Sequence, residues 1–131
     1  MEYLAEADHR MSRSFVTLVL AILFNAFANI LMKAGVKDRA IATDAGVTAL
    51  ALSYLTNLKL MAGIVSFGIA LIFYTKTLEK MSLSVAYPAM TSTGILIVTF
   101  WSLTFFGERL SAWQWSGIAL IIGGLWLINM R

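Results

Sequence analysis

The chain contains no cysteine, one proline, one histidine and seven acidic residues among its 131 positions. The missing thiols exclude disulfides and thiolate metal centres without fixing a compartment. The single histidine, His9, stands in a polar N-terminal stretch, so no His/Cys cluster can form and no metal or other cofactor is expected. For the acids, position matters more than number. Glu2, Glu6 and Asp8 belong to the N-terminal lead, Asp38 and Asp44 to the first connection, and Glu79 and Glu108 to the ends of apolar runs. A carboxylate deep in a membrane span costs roughly 2.5–3.5 kcal/mol to insert and usually marks proton or cation coupling. None of these acids stands in such a place, so proton exchange on a central acid has no candidate residue.

What remains is oily. The chain is 60% hydrophobic and 13% charged, with a mean hydropathy of +0.81. A soluble domain is roughly 45–50% apolar. These values predict an integral membrane protein. A span needs about 20 apolar residues, which gives room for one membrane domain over residues 1–131: an all-α bundle of four transmembrane helices at about 14–33, 59–78, 83–106 and 112–130. An extra short interfacial helix is expected at about 41–55, where the apolar stretch is too short to span and follows Lys37, Asp38 and Arg39. The lead "MEYLAEADHRMSRS" is too acidic for a signal peptide and reads as a short interfacial or disordered segment. Gly107 and Ser111 serve as stop and start signals around the last turn.

An up-and-down bundle places both termini on one side. That side holds Arg10, Arg13, Lys76, Lys80 and Arg131; the other holds Lys33, Lys37, Arg39, Lys59 and Arg109. The balance gives no positive-inside bias, so orientation stays open and antiparallel pairing is permitted. Cations scattered over span ends read as headgroup anchors to membrane lipids, and a nucleic-acid surface is excluded. Trp101, Trp113, Trp115 and Trp126 form an interfacial belt.

The first span carries a polar stripe. Asn25, Asn29 and Lys33 recur every fourth residue and share one helix face. Membrane amides commonly bond helix to helix, and a lysine near a boundary can snorkel; the sharper reading is a polar wall for a substrate headgroup. Tyr87, Thr91 and Ser92 on the third span complete the candidate substrate-binding set, beside the kink expected at Pro88. Gly117, Gly123 and Gly124 permit close helix approach on the fourth span and are candidate dimer-interface residues. Four short helices enclose little space, so a second copy or a similar small subunit is expected as partner, as repeats meet at transporter sites.

The stretch "SVAYPAMTSTGILIVTFWSLTFFGERLSAWQWSGIALIIGGLWLIN" at residues 84–129 resembles the last two spans of the small multidrug resistance family, in the drug/metabolite transporter (EamA-like) superfamily. The segment "AILFNAFANILMKAG" resembles that family's first span in the same register. The resemblance implies a four-span dimeric transporter of the bacterial inner membrane. The drug-exporting branch has a glutamate where this chain has Asn25 and a tryptophan where it has Met90; its first connection is shorter than residues 36–57. The "VAYPAM" stretch, an amide at Asn29 and the lysine at Lys33 resemble instead the branch of aminoarabinose-phosphoundecaprenol flippase subunits. That likeness implies a lipid-linked sugar or polyprenyl phosphate as substrate. A cation exporter with non-standard coupling, or a non-transporting partner subunit, remain the alternatives.

Overall fold

The structure is a computed structural model and describes residues 2–38 and 46–130. It is all-α. Helix α1 spans Glu2–Asp38, α2 Gly46–Thr56, α3 Leu58–Leu78, α4 Leu83–Phe105 and α5 Ala112–Asn129. Three stretches are long and apolar enough to cross a bilayer: Ser12–Lys37 within α1, then α3 and α4. Helix α5 is equally apolar but has 18 residues, about 27 Å at 1.5 Å per residue.

Two boundaries depart from the sequence reading. The N-terminal lead, expected to be interfacial or disordered, continues α1 without a break from Glu2. Its Glu, Leu, Ala, Met and Arg content favours helix and has no Gly or Pro to stop it. The short helix expected at 41–55 is present as α2 from Gly46; residues 39–45 of that connection lie outside the described residues. The helix starts obey local chemistry. Ser111 caps α5 in a reciprocal capping box with Gln114. Gly107, at φ +66°, supplies the left-handed residue that ends α4.

The tightest packing joins α1 to α3. Without water to drive helices together, membrane helices associate through close contact and hydrogen bonds, which small residues allow. A Cβ on Gly63 would lie 2.8 Å from Met32 Cγ and 3.1 Å from the Ala28 carbonyl oxygen; one on Gly35 would lie 2.8 Å from Leu60 Cγ. The two backbones therefore approach closely at both places. Further along, Phe24 stacks on Phe73 with ring centroids 5.8 Å apart. Thr77 donates to Thr17 at 2.9 Å, and Thr17 donates to the Ser14 carbonyl at 2.9 Å. These pairs run in opposite directions along the two helices, which are antiparallel. Helix α4 packs on α1, and among the described residues α5 touches α4 alone.

One side chain closes the α1–α3 seam. Asn57 is buried and caps α3: its Oδ1 accepts from the backbone N–H of Lys59 at 3.1 Å and of Leu60 at 3.3 Å. Its Nδ2 donates 2.9 Å to the Gly35 carbonyl near the end of α1. Asn57→Ala is expected to lower stability by about 2 kcal/mol, the sum of a lost N-cap and an unsatisfied buried carbonyl. Detergent-micelle unfolding followed by circular dichroism checks this; an unchanged midpoint would refute the clamp.

Candidate functional site

Helix α1 packs on both α3 and α4. Its small residues Ala21, Ala28 and Gly35 are buried; Asn25, one turn from both alanines, is half-buried, and Asn29, one turn further, is exposed. Asn25, Asn29, Thr91, Gly94, Ile95, Val98 and Thr99 line an open groove of about 350 Å³ between α1 and α4. Gly94 faces the amide: a Cβ there would sit 3.7 Å from Asn25 Nδ2, an ordinary contact distance. Asn29 spends one donor on its own helix, bonding the Asn25 carbonyl at 2.8 Å. Thr91 likewise turns its hydroxyl onto the carbonyls of Tyr87, at 2.9 Å, and Pro88, at 3.2 Å. Such back-bonding satisfies a hydroxyl in an apolar span while leaving its lone pairs free to accept. The groove thus offers amide donors and acceptors, and no acid occurs in Ser12–Lys37 of α1 or in α3, α4 or α5.

The other expected site residues fall elsewhere. Lys33 lies one turn beyond Asn29 and lines a separate cleft of about 330 Å³ with Val36, Lys37, Phe106 and Glu108. Its ammonium is 2.7 Å from Glu108 Oε1. Tyr87 is exposed and lines a wide, apolar cavity of about 630 Å³ with Leu83, Ser84 and Pro88 at the start of α4. Ser92 is buried and lines none of these three. Gly117, Gly123 and Gly124 have nothing within 4 Å of where a Cβ would be, so they pack against no other described part of this chain. Among the described residues no group of three His, Cys, Asp or Glu could hold a metal.

Two residues escaped the sequence reading. Glu108 was treated as a span-end acid, yet it closes the Lys33 cleft and accepts from Ser102. Asn57 was read as loop, although an asparagine directly before an apolar run is an N-cap signal. Nothing in the sequence pairs Lys33 with Glu108 across 75 positions; only the parallel course of α1 and α4 does so.

The Lys33 ammonium, and after it the Ser102 hydroxyl, hold the Glu108 carboxyl below its usual range. A lowered acid contributes its tether at neutral pH and loses it only as the pH falls through the lowered folded value. Hydrogen exchange of the Gly107–Leu110 amides, corrected for intrinsic rates, is therefore expected to stay flat from pH 8 down to about 4.3, the ordinary glutamate value, and to rise below it. A rise near neutrality would contradict the pairing.

Long apolar helices with charged residues at their ends, and a groove walled in part by amides, define a multi-pass membrane protein. Residues 45–121 match the family described as Small Multidrug Resistance protein. The chain belongs to that family. It is 33% identical over 111 residues, 84% of this chain and 90% of the relative, to the uncharacterized protein y4nH of Sinorhizobium fredii. It is 36% identical over 70 residues, 53% of this chain, to a Yersinia pseudotuberculosis protein described as "probable 4-amino-4-deoxy-L-arabinose-phosphoundecaprenol flippase subunit ArnE", of which it spans 60%. With the quaternary ammonium compound-resistance protein QacE of Escherichia coli it shares 31% over 67 residues, 51% of this chain and 61% of QacE. No solved structure matches.

Proposed function

We propose that the chain is a small flippase subunit of the bacterial inner membrane that moves a lipid-linked sugar or polyprenyl-phosphate headgroup. The observation that carries this reading is the groove between α1 and α4, which is lined by Asn25, Asn29 and Thr91 and contains no carboxylate. A polar, anionic headgroup needs hydrogen-bond donors and cations, and an acid at its centre would repel it. The groove is open rather than enclosed, and in this reading a lipid tail stays in the bilayer while its headgroup travels along the Asn25–Asn29–Lys33 stripe. Tyr87 contributes from α4, at the apolar cavity where a tail would enter; Ser92, buried away from the cavities, is not part of this path. The likeness to ArnE supports the substrate class.

In this reading α5 is a fourth span, and the chain works as a homodimer or beside a similar small subunit. Gly117, Gly123 and Gly124 lie open on α5, which among the described elements touches α4 alone, and this supports their place at that seam. The likeness to QacE supports a second reading, export of quaternary ammonium cations.

Purified protein in liposomes separates the two. Undecaprenyl-phosphate lipid is expected to cross, with Asn25→Leu and Thr91→Val each slowing it roughly fivefold, the scale of one hydrogen bond. Cation movement with a proton current would sink the flippase reading. Failure to move either substrate would leave a partner-stabilising subunit. Chemical cross-linking in membranes is expected to trap a dimer, and Gly124→Leu to reduce it while the monomer stays folded by circular dichroism.

A further inference from the structure

The cleft beside the groove has a composition of its own. Two cations, Lys33 and Lys37, converge on one space from successive turns of α1, and a single acid, Glu108, faces them from the turn after α4. Lys37 Nζ stands 5.7 Å from the centre of the Phe106 ring, so an aromatic face helps hold it in place. The cleft therefore carries one more positive than negative charge among its described lining residues. Both partners of the ion pair are about half exposed, Lys33 at 54% and Glu108 at 43% of the side chain. Exposed pairs of this kind are weak and exchange readily.

We infer that this cleft is an anion subsite for a phosphoryl group, and that Glu108 is its resident surrogate anion, displaced from Lys33 when the phosphoryl group arrives. The inference rests on the flippase reading and extends it with Lys37, Phe106 and Glu108. A carboxylate offers two oxygens and one charge. A phosphate monoester offers three oxygens and between one and two charges, enough to engage Lys33 and Lys37 together. The released Glu108 keeps Ser102 as a partner, so the exchange strands no carboxylate in apolar surroundings. It also releases one of the contacts between α1 and the α4–α5 turn, while Lys37 and Phe106 keep another.

The distinguishing consequence is a sign. If Glu108 competes with the ligand, Glu108→Gln binds phosphoryl lipid more tightly; if Glu108 merely braces the turn, it binds equally or less well. The full chain in nanodiscs is titrated with undecaprenyl phosphate, with neutral undecaprenol as control, following intrinsic tryptophan fluorescence. Glu108→Gln is expected to lower the Kd for undecaprenyl phosphate roughly two- to fivefold, the scale of an exposed ion pair, and to leave undecaprenol unchanged. Lys37→Gln, which leaves the Lys33–Glu108 pair intact, is expected to raise the Kd by a similar factor.

Inorganic phosphate identifies the source. Competition by phosphate at millimolar concentration supports a site that reads the phosphoryl group alone; lack of competition supports one that needs the lipid attached. Unchanged or weaker binding in Glu108→Gln, or unchanged binding in Lys37→Gln, overturns the subsite. The flippase reading fails separately: lipid bound with these shifts but never moved across liposomes leaves the cleft standing, whereas lipid moved with unaltered affinities removes the cleft alone.

Discussion

The close approach of α1 and α3 is the constraint on which the rest of the chain hangs. In hydrocarbon, helices gain little by hiding apolar surface from one another, so contact must come from fit and from polar groups made whole. Gly35 and Gly63 let the backbones meet, and Asn57 fastens the end of α1 to the beginning of α3 with one amide. The threonine relay from Thr77 through Thr17 fastens the other end. With α1 held at two ends, its rotation about its own axis is fixed. The stripe of Asn25, Asn29 and Lys33 then has one place to face, which is α4.

That fixed rotation explains how one helix serves two chemistries. The small buried residues Ala21, Ala28 and Gly35 run beside a polar stripe that borders open space. Along it the character changes within two turns, from the neutral amides of the groove to the paired and excess cations of the cleft. Gly107 matters here because it turns the chain so that Glu108 reaches back to Lys33.

Much of this was legible in the sequence. Helix placement followed from apolar runs and from Gly107 and Ser111, because those signals are local. The shared face of Asn25, Asn29 and Lys33 followed from helical spacing. What the spacing could not give was the division of the expected site among separate cavities. Tyr87 and Thr91 are one turn apart, yet Thr91 borders the amide groove while Tyr87 borders an apolar cavity. Ser92, adjacent to Thr91 in sequence, turns inward. Which side of α4 meets α1 is a long-range packing outcome, and periodicity within one helix is silent on it. The continuity of α1 through its charged lead was missed for a related reason: charge was taken as a boundary, although helix propensity does not stop at the edge of an apolar run.

Helix α5 stands apart from all of this. It hangs on a capped turn and touches the remainder of the described chain only through α4. Substitutions on its remaining sides leave the seam, the groove and the cleft as they are. On the proposed flippase reading, α1, α3 and α4 answer to the headgroup the groove handles and α5 to a neighbouring subunit, so a lineage could re-pair such a subunit without retuning its cargo.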